Sequence, residues 1–379
     1  MSLKLHSIAL GSAALCFAFG AGQALAADAN AIADALVAAM QSNDKSTAKY
    51  DGATAIGDDV TITGFSATNP KGGVISIPTI TIANAQPRDA GGFTASAMTF
   101  DNGTVVDEDT NVAWQMGSLK DATVPSPAEI KAKAHILPFT QVTVSGLSIA
   151  GGDLPAPLDI ASIGVALDVD AEGNPRDFDL KVASINIPPA VFAQDPQQKA
   201  ILDELGYTSG FMVNLDIAGA YESEGDEVTL RTFTLDAADV GKLAVTGKFN
   251  GISLGDMAQG AEPGDAGKNG ALEALTIRFD NAGVVERVLD MQAKMMGVDR
   301  AAVVAQFGGA LPFMLNFIGN PPFQDKLAKA GAAFLNDPQS ITIAVNPDQP
   351  KKFEEIMGIA NQAPQTLPDV LSVDVTANN

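Results

Sequence analysis

The sequence predicts an α+β fold that is mainly β, an elongated, curved antiparallel sheet covered on one face by C-terminal helices. Three observations carry that expectation. From about Val60 to Phe249 apolar residues recur with period two between Gly, Asp and Pro punctuation, the signature of half-buried strands. Two short turns, Asp170 to Pro175 and Glu222 to Glu227, join neighbouring strands tightly enough for hairpins, with Gly173 and Gly225 where positive φ costs little. Beyond residue 270 the helical period appears, in segments that alternate with strands.

The chain opens on a short basic start with Lys4, followed by an apolar run from Ile8 to Leu25 and then Ala24-Leu25-Ala26. Small residues at the two positions read by a signal peptidase make residues 1–26 a secretory signal peptide cut after Ala26. The one cysteine, Cys16, lies in that run, so the exported chain carries no thiol, and disulfides, thiolate metal sites and cysteine nucleophiles are excluded. Residues 27–255 then form a β-rich body with a short N-terminal helix. Ile32, Leu36, Ala39 and Met40 have helical spacing, with Asp28 or Asn30 as N-cap. The strands follow: Val60 to Ile62, Val74 to Ile82, Val142 to Val144, Val165 to Val169, Phe178 to Val182, Val213 to Ile217, Val228 to Leu230 and Phe233 to Leu235.

One phrase recurs. Val60-Thr-Ile-Thr-Gly64-Phe65-Ser66 returns as Val142-Thr-Val-Ser-Gly146-Leu147-Ser148, with a looser echo ending in Gly247-Lys-Phe249. The glycine in each marks a bulge or bend that lets a strand curve. Residues 256–270 are a Gly-rich loop, and residues 271–379 form an α+β C-terminal region that completes the same sheet. Its strands are Ala274 to Phe279, Ile341 to Val345 and Val370 to Val375. Its helices begin near Val284, at the N-cap Asp299, after Pro321-Pro322, and at Pro350.

The formal charge of −22, from 45 acidic and 23 basic residues, repels phosphate backbones, so nucleic acid is excluded as a partner. The apolar fraction of 46% supplies ample core. Gly251-Ile-Ser253-Leu-Gly255 fits a hydrolase elbow, but that fold needs a histidine after the serine, and His135, the one histidine of the exported chain, precedes it. A lone imidazole is not a transition-metal site. A calcium loop is the better metal candidate, since Asp168, Asp170 and Glu172 fall at positions 1, 3 and 5 and Asp179 at position 12; against it, position 12 should be Glu and the flanks read as strands. The sequence implies no cofactor and no catalytic residues. Its Met- and Phe-rich helical segment offers Met295, Phe313, Met314 and Phe317 either as plain core or as the lining of an apolar groove.

Four C-terminal phrases carry a family likeness: Leu275-Thr-Ile-Arg-Phe-Asp-Asn-Ala-Gly283, Phe334-Leu-Asn-Asp-Pro338-Gln-Ser-Ile-Thr-Ile343, Asn346-Pro347-Asp-Gln-Pro350 and Val373-Asp-Val-Thr-Ala-Asn378. In these the chain resembles a group of uncharacterised bacterial periplasmic proteins similar in style to the AsmA-like and YdgA-like families. The resemblance implies an envelope protein on a long antiparallel sheet, AsmA-like members being tied to lipid and outer-membrane homeostasis. It offers no residue roles. The chain departs from the AsmA pattern in its cleavable leader, where those proteins keep a membrane anchor. The resulting expectation is a periplasmic, non-enzymatic protein of envelope maintenance that binds a lipid or other apolar ligand, without stable membrane insertion. The alternative is a structural or protein-binding module that meets another envelope protein.

Overall fold

The computed structural model describes residues 27–42, 46–134, 136–170, 175–253 and 268–379. The expected signal peptide, His135, Glu172, the tip of the Asp170 to Pro175 hairpin and most of the Gly-rich loop lie outside the described residues. The fold is α+β and mainly β, and the pairings resolved among the described residues are antiparallel. The chain divides into two compact units, one ending at Pro175 and one running from Arg176 to Asn379.

In the first unit α1 (Ala29–Met40) is started by Asp28, whose carboxylate accepts from the Asn30 and Ala31 amides. The strands are β1 (Thr47–Lys49), β2 (Gly52–Ile56), β3 (Asp59–Thr68), β4 (Val74–Ala83), β5 (Gln86–Pro87), β6 (Phe93–Asp101), β7 (Thr104–Asp107), β8 (Thr110–Ala113) and β9 (Met116–Val124). After α2 (Pro127–Lys131) come β10 (Gln141–Gly151) and β11 (Leu158–Val169). Ile32 and Ala33 of α1 pack into a core with Val60, Ile62, Ile80, Ile82 and Phe93. Away from that helix the sheet opens. Along one cross-strand row Val60 and Ile82 are 0% exposed and Met98 5%, whereas Leu119, Val142 and Val165 are only half-buried.

The repeated phrase corresponds to one structural device. Gly64 in β3 and Gly146 in β10 both have φ +64°, and each faces the break between two short strands that pair with the two halves of its own strand. A side chain from that break, Asp51 or Gln115, fills the space where a Cβ would stand. Gly247, in the looser echo, does not share the positive φ.

The second unit holds β12 (Pro175–Ile187), α3 (Pro196–Glu204), β13 (Phe211–Glu222), β14 (Glu227–Ala237), β15 (Gly241–Asn250) and β16 (Ala271–Asn281). The three helices α4 (Val284–Met296), α5 (Arg300–Met314) and α6 (Pro321–Asn336) follow, then β17 (Ser340–Val345), β18 (Lys351–Lys352), α7 (Phe353–Gln362), α8 (Leu367–Val370) and β19 (Val373–Ala377). Strands β12 to β17 pair in chain order and β19 adds beyond β17. The strands flanking the Gly-rich loop, β15 and β16, are therefore direct neighbours, and the C-terminal strands extend the sheet that β12 to β15 begin.

Two local expectations change. Val370 and Leu371, read as strand, close the helical turn α8 instead, because Pro368 sits in its first turn and Ser372, at φ 48°, breaks the chain before β19. Helix α3 was not expected, although Asp195-Pro196 is a cap followed by an N1 proline, and the Asp195 carboxylate accepts from the Gln197 and Gln198 amides.

Candidate apolar binding face

In an antiparallel sheet, directly opposed residues point to the same face, so register alone shows what each face carries. In the second unit three rows run across all seven principal strands. The first is Val182, Leu215, Leu235, Leu243, Phe279, Ile341 and Ala377; the second is Leu180, Ile217, Phe233, Val245, Ile277, Ile343 and Val375. The third, Phe178, Gly219, Leu230, Gly247, Leu275, Val345 and Val373, has two glycines whose missing side chains are replaced by the rings of Phe178 and Phe249. The opposite face is polar, as the row Lys181, Asp216, Thr234, Ala244, Arg278, Thr342 and Thr376 illustrates. There Lys248 bridges Glu227 at 3.0 Å and Glu273 at 3.3 Å, and hydrogen bonds to both carboxylates push its pKa up.

Such an apolar face ordinarily forms the core of a domain. Here it does not. Among the residues of these rows on β12 to β16, only Gly219 is buried; the others are half-buried and Leu235 is 40% exposed. The C-terminal helices bury one another instead, through Leu289, Ala293 and Val303. Helix α6 packs on β17 and β19, where Val375 is buried, and its Phe334 reaches Phe279 of β16, edge-on at 6.4 Å. Helix α5 packs on α4 and α6.

One end of the face is walled by aromatic side chains. Phe211, at the start of β13, meets Phe192 at 5.2 Å and Tyr207 at 5.1 Å. The Tyr207 hydroxyl donates to the Asp239 carbonyl at 2.9 Å, the Arg287 guanidinium lies 4.8 Å from its ring centre, and burial raises its pKa. Beside this cluster a cleft of about 440 Å³ is lined by Pro189, Phe192, Lys199, Leu202 and Tyr207. At the far end Phe353 approaches Phe249 at 6.4 Å.

The residues singled out from sequence lie elsewhere. Phe313 and Met314 close α5, Phe317 sits in the 3-10 turn Leu315–Ile318, and Met295 is near the end of α4; all four are exposed at the surface. Phe313, Met314 and Phe317 are adjacent at the end of α5, while Met295 is on a different helix, α4, four residues before the Asp299 cap that starts α5. Of the calcium candidates, Asp168 is exposed on β11, Asp170 follows it, and Asp179 on β12 is paired with Lys181 at 3.2 Å. Among the described residues no three His, Cys, Asp or Glu side chains are grouped to hold a metal ion. An apolar groove between sheet and helices was weighed from sequence, but only helical residues were named for its lining, not this face. Its signal was present in the alternation of β12 to β17, but its exposure depends on where the helices pack.

Among known proteins, a family described only as an uncharacterized protein matches residues 234–378, from the second half of β14 to the end of β19. The chain is similar to that family over the region that holds most of the apolar rows and the helices. No curated protein matches the chain.

Proposed function

We propose that this chain is a non-enzymatic periplasmic protein of envelope maintenance that binds a lipid or another long apolar molecule on the open face of β12 to β16. The observation that carries this reading is the set of three apolar rows left half-buried in a unit whose helices pack on each other. Burying a methylene is worth about 0.8 kcal/mol, so an acyl chain laid along even part of the face gains several kcal/mol. The face has no charged side chain in the three rows to oppose such a ligand. The expected Ala24-Leu25-Ala26 leader and the resemblance of the C-terminal phrases to envelope families support a periplasmic reading.

Organic extraction of the protein purified from a bacterial envelope, followed by lipid analysis, tests this. The expected result is a lipid recovered in stoichiometric proportion to the protein. A protein that yields none, and takes up none when mixed with phospholipid, contradicts the reading.

A further inference from the structure

The stretch Arg300–Ile318 is the one helical segment among the described residues long and apolar enough to cross a membrane, and only 6% of it is buried. In this structure it is tied to its neighbours at both ends. At its start Arg300 is paired with Asp290 of α4, and just past its end Asn320 donates to the Gln365 carbonyl at 3.0 Å and to Asp369 at 2.9 Å. Its inner side, with Val303 and Phe307, packs against α4 and α6. The large apolar groups that point outward gather at one end: Phe313 is 89% exposed, Phe317 85%, and Met314 lies between them. Residues 313 and 317 flank the join between α5 and the 3-10 turn Leu315–Ile318, and both rings face solvent.

The surroundings favour one kind of partner. From Ala301 to Gln324 there is no Asp, Glu, Lys or Arg, in a chain whose formal charge is −22. An apolar patch on a stretch free of charged side chains enters hydrocarbon without desolvating an ion. Anionic surfaces are repelled by the chain as a whole. A lipid surface of no net charge meets both conditions, since hydrocarbon accepts the rings and headgroups of balanced charge do not oppose the acidic body.

We propose that Phe313, Met314 and Phe317 form a wedge that docks the protein reversibly on a zwitterionic lipid surface. The wedge is separate from the apolar rows of the sheet and does not depend on them. Flotation of the full chain with phosphatidylcholine vesicles tests it. The wild type floats with the vesicles, added phosphatidylglycerol does not strengthen binding, and Phe317→Trp shows a blue-shifted emission quenched by brominated lipid. Removing one such ring from the lipid weakens partition by about tenfold or more, so the pair Phe313→Asp and Phe317→Asp abolishes flotation. Both positions are exposed, so the melting temperature stays unchanged. Leu235→Asp, on the sheet, leaves flotation intact. Absence of wild-type flotation, flotation that survives the double substitution, or a wild-type dimer that the substitution dissociates would each overturn the proposal, the last by assigning the patch to a second copy.

Discussion

Replacing Glu129 by Gln removes a charge and little volume at the point where α2 is tied to the sheet of the first unit. Both Glu129 oxygens face the Arg88 guanidinium, at 2.8 and 2.9 Å. One of them also accepts from the Ser126 amide at 2.8 Å, and the Ser126 hydroxyl oxygen accepts from the Glu129 amide, a complete capping box. The Arg88 hydrogen bond, assisted by Ser126, lowers the Glu129 pKa from 4.5 to about 2. At 1.36 kcal/mol per pKa unit, that shift sets a ceiling of about 3 kcal/mol. The pair keeps 15% and 20% side-chain exposure, so solvent screening brings the expected contribution to about 1–2 kcal/mol. Because the folded pKa lies below the unfolded one, the stabilisation is present in full above about pH 4.5 and fades as pH falls towards 2. Trp114 is the single tryptophan and lies in the first unit, with its indole N–H donating to the Phe100 carbonyl, so its fluorescence reports unfolding of that unit alone. Urea titrations followed at Trp114 should show Glu129→Gln less stable by about 1–2 kcal/mol at pH 7, and the gap between variant and wild type should close near pH 2. An equal gap at both pH values, or none at pH 7, would refute the assignment of the stabilisation to the carboxylate charge.

Further substitutions probe the sheet of the first unit. Gly64→Val and Gly146→Val should each cost about 1–3 kcal/mol in the Trp114 unfolding assay, because both positions have φ +64° and the new Cβ would fall within 3 Å of Asp51 or Gln115. Gly164→Ala serves as a control in the neighbouring strand, where nothing lies within 4 Å, and should change stability by about 0.5 kcal/mol or less. Along the graded row of the first unit, Val60→Ala should destabilise by about 2–3 kcal/mol and Val165→Ala by under about 1 kcal/mol. Equal losses would mean that the half-buried end of the row is packed as tightly as the end under α1.

Much of the fold was legible because period-two alternation is a local property of the chain. The strands around Ile62, Ile80, Val144, Ile217 and Phe233, and the cap at Asp28, depend on near neighbours, and they stand where the pattern put them. The recurrence of Gly64 and Gly146 was visible as text, but its meaning depended on the broken strands opposite, which pairing alone reveals. Val370 and Leu371 looked like strand since the β-branched pattern continues into Val373, and the turn imposed by Pro368 and Ser372 outweighed it. The site was less legible. Phe313, Met314 and Phe317 were recognisable as unusual, yet whether an apolar helix is core, groove or surface is decided by packing, and α5 turned them outward. Leu215, Phe233, Val245 and Ile277 read as ordinary core residues, and the mutual burial of α4, α5 and α6 leaves them only half-buried.

The proposal that the sheet of the second unit carries an apolar ligand is tested most directly by native mass spectrometry of the purified protein, wild type beside the pair Leu235→Asp and Ile343→Asp. These two positions are the most open of the three rows, at 40% and 37% exposure, so the charges enter the face with little disturbance to folding, which the melting temperature checks. The wild type should fly with a lipid-sized adduct, and the double variant, equally folded, should lose it. A wild type that carries no adduct after incubation with phospholipid, or a variant that retains it in full, would contradict the account.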